Sequence, residues 1–276
     1  MSAFPILEPV SSVSASTVAD NVVPPAAAVT RSPSASSDWV AWSAAIVLII
    51  GSVVFLAGGR LHPAIGATGS GPDEFFRAFA AKVVHTHGWH AMHMLILIGP
   101  LFWALGAPAV VDGIHAGARS VTSAARSALV LSGALWAVAF VLDGFGAPVY
   151  ASAIEAGAGS PAAAGVMTSF QANAIMMSRL GLVSWITGGL GMTMLGGALL
   201  ARGMRTKWRV TVGILGIVIG AWPLFAALQG EYAGGPFTSQ YWRLNAIAVS
   251  AWYVALASCA FGRRRAEQGV QPTGPR

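Results

Sequence analysis

Six apolar runs, each about 20 residues or longer, fill most of the chain between positions 39 and 262. A run of that length crosses a hydrocarbon core of about 30 Å as an α-helix, which satisfies its own backbone without water. Six such runs cannot all be buried inside one soluble core. They lie at about 39–59, 89–111, 127–150, 167–201, 209–229 and 241–262. The expected fold is therefore all-α, an integral membrane bundle of six transmembrane helices with the lipid bilayer as its first partner. The fourth run is too long for an upright crossing and predicts tilt or projection. Pro100, Pro108, Pro148 and Pro223 lie within or beside runs. In a bundle, neighbouring groups take over the carbonyl a proline frees, so these predict kinks rather than breaks.

The runs define a membrane domain at 38–262. Residues 1–37 are rich in Ser, Ala, Val and Pro and lack the basic start and apolar core of a secretory signal. They offer too little apolar area to offset ordering and are expected to form a disordered tail, as is the basic segment 263–276. The net charge of +6 does not point to nucleic acid, because the basic residues punctuate the runs and form no patch interleaved with aromatics. Their distribution sets orientation instead. Arg119 and Arg126, then Arg202, Arg205, Lys207 and Arg209, then Arg263, Arg264 and Arg265 all fall on one side. The opposite side holds Arg60, Arg77 and Lys82, offset by Asp73 and Glu74. The positive-inside rule places both termini in the cytoplasm of a protein of the cytoplasmic (inner) membrane. The single cysteine, Cys259, excludes an intrachain disulfide and a CxxCH haem attachment.

The first outer loop predicts a short helix. Pro72-Asp73-Glu74 reads as its start, and Phe75, Phe76, Phe79 and Val83 follow at helical spacing. Such a helix lies in the membrane interface or packs on the bundle.

The outer third of the runs holds a layer of ionisable and amide side chains, and the inner half holds nothing ionisable by comparison. Counting rise per residue puts Asp143 about 22 Å from the inner edge, Asn245 about 25 Å, and His93 and Arg243 about 27–28 Å. His62, His90, Arg179 and Glu231 fall at about 30 Å or more. Ionisable groups at such depth face the bundle interior and are functional candidates by default. Asp143, the deepest, predicts a cation beside it: Arg179, Arg243 or a metal. The plainer reading is a structural ion pair that fixes helix register.

Five of the six histidines are His62, His85, His87, His90 and His93, all near one membrane face. His90 and His93 are three apart and share a helix face. His62, His93 and Asp143, with His90 as an alternative ligand, suit a three-ligand metal site with an open position. His62 and His93 equally suit the two axial positions of a haem b, which would serve electron transfer. His85 and His87 sit in the aqueous interface, His115 faces the other side, and neither setting calls for chemistry. There is no HExxH run. A second reading takes Arg179, Glu231, Arg243 and Asn245 as an outward-facing polar pocket for binding or transporting a small molecule. No polar trail continues to the inner side, which argues against transport. A third takes the chain as an accessory or assembly subunit of a larger membrane complex.

Leu61-His62-Pro63, Trp89-His90-Ala91-Met92-His93 and Leu142-Asp143-Gly144-Phe145-Gly146 together resemble a group of bacterial multi-span membrane proteins. That group has His-Pro closing the first helix, Trp with His four residues on opening the second, and Asp-Gly-Phe ending the third. The resemblance covers the first half of the membrane region. It implies an architecture and no chemistry, and it favours His93 over His90 as the functional histidine.

Overall fold

The computed structural model describes residues 35–63, 72–114, 119–201, 206–233 and 239–268. Its side chains are described there except at 35–38, 72–73, 119, 226–233, 239–242 and 262–268. The helices are α1 (Ala35–Leu61), α2 (Pro72–His85), α3 (Trp89–Ile114), α4 (Arg119–Val141), α5 (Ala147–Ala156), α6 (Pro161–Leu200), α7 (Lys207–Ala233) and α8 (Ser239–Gln268). A π-helical segment, Leu142–Gly146, joins α4 to α5 without a break. The described residues contain no strand.

Six stretches are long and apolar enough to cross a membrane: Trp39–Leu61, Trp89–Ile114, Ser120–Ala156, Pro161–Leu200, Lys207–Phe225 and Arg243–Phe261. The chain is thus a multi-pass membrane bundle. Helix continues through Pro100, Pro108 and Pro223, as expected. It also reaches a few residues into both segments read as tails, since α1 begins at Ala35 and α8 runs to Gln268. Residues 1–34 and 269–276 lie outside the described residues, as does His115.

The spans form a closed ring. α1 packs on α3, α3 on α4, α4 on α6, α6 on α7, α7 on α8, and α8 returns to α1. Val53, Leu105, Val138, Val218 and Ile247 point outward and make the lipid-facing belt, while Leu48, Phe55, Ile96, Leu195, Trp252 and Leu256 fill the interior. Lipid tails are as apolar as leucine, so burial alone does not drive these helices together; close contact and hydrogen bonds do. A Cβ on Gly189 would lie 2.2 Å from the Gly220 carbonyl oxygen, so α6 and α7 touch backbone to backbone. The Gly216–Gly220 pair therefore serves packing within the bundle: Gly220 meets α6, and Gly216 lies against Trp252 of α8. Ser132 Oγ donates to the Ser184 carbonyl (2.8 Å), and Ser184 Oγ donates back to that of Ser132 (2.7 Å), which pins α4 to α6.

A cap covers one end of the ring. Phe79, Ala80 and Val83 of α2 are buried against Trp89, Met92, Ala147, Ala151 and Phe170. Of the two readings of the loop helix, the packed one describes α2. At 40 residues, or about 60 Å, α6 is twice the bilayer core, and its first turns rise into this cap. His62, His93 and Asp143 lie beneath it.

Candidate functional site

The site is assembled from three helix ends. His62 follows the last residue of α1, His93 lies in the first turns of α3, and Asp143 is the second residue of the π segment. One ligand atom from each falls within 4.8 Å of the other two. His93 Nε2 is 2.8 Å from Asp143 Oδ2, and His62 Nε2 is 4.0 Å from the same oxygen. The His93 side chain is fully buried and that of Asp143 is 10% exposed, whereas His62 is 22% exposed and forms the open side.

Both imidazoles are held by backbone carbonyls. His93 Nδ1 lies 2.6 Å from the Trp89 carbonyl oxygen, and His62 Nδ1 lies 3.0 Å from that of Pro63. A carbonyl only accepts, so each Nδ1 carries the proton and donates. A neutral ring then presents a lone pair at Nε2, and both Nε2 atoms face a carboxylate that also only accepts. Three acceptors converge, and something positive must lie among them: a further proton or a metal cation. Asp143 Oδ1, also buried, has no hydrogen-bond partner among the described residues. Beyond the end of the span, burial lowers the His62 pKa from its usual 6.5 against the raising pull of Asp143 and of the hydrogen bond to the Pro63 carbonyl, and the neighbouring His93 ring and Arg243 favour the lowering. The neutral ring is thereby favoured, which is the form that ligates metal.

The π segment explains how Asp143 is aimed. The Ala147 N–H bonds the Leu142 carbonyl, one residue beyond its α-helical partner, Asp143. In the π register, the donor to the Asp143 carbonyl would be residue 148, a proline without an N–H. That carbonyl is left with no donor in its own helix, and the Trp89 indole supplies one at 2.8 Å. Asn173 Nδ2 of α6 donates to the Leu142 carbonyl (3.2 Å). π-Bulges recur at functional sites for this reason: they re-aim one side chain and free backbone groups. Gly144 lets α3 close in, since a Cβ there would meet the His93 Cβ at 2.9 Å. Trp89 thus donates to one partner's backbone and accepts from the other's ring.

The remaining sequence candidates are outside the converging group, although Arg243 is near enough for its charge to act on His62. His90 is exposed, its ring edge-on to Phe145 at 5.1 Å, and it is not in the converging group. Arg179 and Arg243 are exposed, and neither forms the expected ion pair with Asp143, whose ion pairs are with the two histidines. The reason is azimuth: counting residues gives height in the membrane but not the direction a side chain faces. Asn245 is buried with neither side-chain polar atom partnered among the described residues. The Glu231 side chain lies outside the described residues. His85 pairs with Glu155 at 3.5 Å on the surface. Asn173 was not singled out from sequence, and Trp89 only as the residue four before His93 in the resembling motif. Pro148 is a partial signal for Trp89: a proline leaves a carbonyl about one turn before it in need of a donor, and the π register makes that carbonyl Asp143's.

Comparison with family models, with curated proteins and with solved structures finds no match to this chain. Fold and site define it as a multi-pass membrane protein with a buried two-histidine, one-aspartate cluster at one end of its bundle.

Proposed function

We propose that His62, His93 and Asp143 bind one divalent transition-metal ion of the zinc or ferrous class, with a further coordination position open on the His62 side. The observation that carries this reading is the pair of Nδ1-to-carbonyl hydrogen bonds. Metal-ligating histidines characteristically donate their other N–H in this way, which fixes the tautomer and turns Nε2 toward the ion. Two imidazoles and a carboxylate are a familiar ligand set for catalytic zinc and for ferrous oxygenase centres. Two neutral rings and one carboxylate leave a single net charge on a divalent ion, which reduces the cost of burial. Ligand bonds of about 2.1 Å in a tetrahedral set place donor atoms about 3.4 Å apart. The 2.8 and 4.0 Å distances bracket that value, so an ion would separate His93 from Asp143 slightly and draw His62 inward.

Haem b fits less well. The His62 and His93 rings are edge to face with centroids 5.0 Å apart, and Trp89 packs on both, at 5.3 and 4.8 Å. Axial ligands stand on opposite faces of a macrocycle, and here side chains fill that slot. Electron transfer through haem therefore finds no support in the geometry. The positive-inside pattern of the sequence supports an extracytoplasmic position for the metal site in a protein of the cytoplasmic membrane. The 2.8 Å His93–Asp143 contact also describes an imidazolium–carboxylate pair that locks α3 to the π segment.

Metal analysis of protein purified without added chelator separates the two readings. The metal reading expects about one ion per chain and its loss in His62→Ala and Asp143→Asn. A folded protein with no bound ion, even after zinc or ferrous iron is supplied, supports the ion-pair lock instead.

A further inference from the structure

Directly below the His–Asp cluster, the middle of the ring contains a small cavity of about 20 Å³. Pro100, Trp136, Trp185, Pro223, Val249 and Tyr253 are among the side chains lining it. That volume holds about one water molecule. The Trp185 indole Nε1 is buried and has no acceptor among the described residues. The two prolines present the opposite need, because neither can donate to the carbonyl four residues before it. Ile96 in α3 and Ile219 in α7 thus lose their helical donors. A donor without an acceptor belongs to the cavity lining, and the two carbonyls freed by proline lie one helical turn from it.

The cavity and the cluster share a column. His93 and Pro100 are seven apart on α3, Asn245 and Val249 four apart on α8, and Trp136 of α4 precedes Asp143 of the π segment by seven residues. The α3 and α8 spacings put each pair on one helix face, two turns and one turn apart, and Asp143 stands about two turns above Trp136. Between the levels lie Ile96 and Phe140, both buried, and Phe140 stacks on Trp136 (4.7 Å) while touching the His93 ring (6.1 Å). Asn245 belongs to this intermediate layer. Its Oδ1 and Nδ2 are both buried and unpartnered, as is Asp143 Oδ1 above it. Buried polar groups are nearly always satisfied by protein or by ordered water. Below the cavity, Leu48, Leu195, Leu199 and Leu256 close the interior with fully buried apolar side chains.

We propose that a file of hydrogen-bonded water molecules runs inside the ring from the His–Asp cluster to the mid-membrane cavity, with Asn245 as the step across the Ile96–Phe140 layer. The file is blind at the cavity. It gives the cluster an internal water and proton reservoir, and it provides no route across the membrane. It depends on the positions of His93 and Asp143 and holds whether or not they bind a metal.

The test is hydrogen exchange of indole N–H groups, followed by NMR in D2O on the full chain in nanodiscs. The Trp185 signal is assigned by its loss in Trp185→Phe. Trp252 is the internal control, since it lies outside the cavity lining and its indole bonds the Val212 carbonyl (2.8 Å). The file predicts that Trp185 exchanges faster than Trp252. Asn245→Leu should slow it by about tenfold, the upper effect of removing one hydrogen-bonded step, while Asn245→Ser restores it and the control stays unchanged. A Trp185 indole as protected as Trp252 would overturn the proposal. So would exchange at Trp185 that Asn245→Leu leaves unaltered.

Discussion

Trp89→Phe should destabilise the bundle more than the equivalent change at Trp103, although both indoles are almost fully buried. Each substitution removes the same ring area and one hydrogen bond, so the difference depends on what is left behind. At Trp103 the partner is Ser52 Oγ, which keeps its own bond to the Leu48 carbonyl (2.8 Å). At Trp89 the partner is the Asp143 carbonyl, which has no other donor, because Ala147 bonds Leu142 and Pro148 has no N–H. A buried acceptor left unsatisfied costs about 1–3 kcal/mol. The unfolding equilibrium of Trp89→Phe should therefore shift roughly 5- to 150-fold further than that of Trp103→Phe. Adding Pro148→Ala to Trp89→Phe restores an N–H in the π register and should recover about 1 kcal/mol. Unfolding by steric trapping or in mixed detergent micelles, run as a double-mutant cycle, reads both effects. Equal costs at Trp89 and Trp103, with no recovery from Pro148→Ala, would refute the carbonyl accounting.

The other expectations concern packing and ligand choice. Gly144→Ala places a Cβ 2.9 Å from the His93 Cβ, and overpacking of this kind should cost about 1–3 kcal/mol and weaken metal retention, read by unfolding and metal content. Gly189→Ala should cost at least as much, because its Cβ would meet the Gly220 carbonyl at 2.2 Å. Gly197→Ala meets nothing within 4 Å and should be neutral or stabilising by up to about 1 kcal/mol in the same assay. His90→Ala should leave metal stoichiometry unchanged, because that ring is exposed and apart from the converging atoms.

The spans were legible because a bilayer imposes a length that no loop imitates, and α3 and α8 begin or end within a few residues of the expected limits. The third span was read too short. Its helix continues through Ser120–Arg126 before the apolar run and through Ala151–Ala156 after it, beyond the segment that hydropathy marks. His62, His93 and Asp143 were legible as a set from their common height and from the pattern that resembles other bacterial membrane proteins. Their surroundings were not. A π-bulge is a one-residue change of register, and the indole and amide that satisfy its carbonyls come from residues 54 and 31 positions away. The expected cations at Arg179 and Arg243 lie in the same outer third as Asp143 yet have exposed side chains. Depth is readable from a count of residues, and azimuth depends on how the ring closes.

The central claim is that two imidazole nitrogens and a carboxylate oxygen share one ion. Cobalt(II) titration of the metal-free protein in detergent tests it most directly, with extended X-ray absorption on the loaded sample. The account predicts visible ligand-field bands that saturate at about one cobalt per chain, with two imidazoles in the first shell and loss of the bands in Asp143→Asn. A spectrum like that of hydrated cobalt, or binding that persists in Asp143→Asn and His62→Ala, would contradict it.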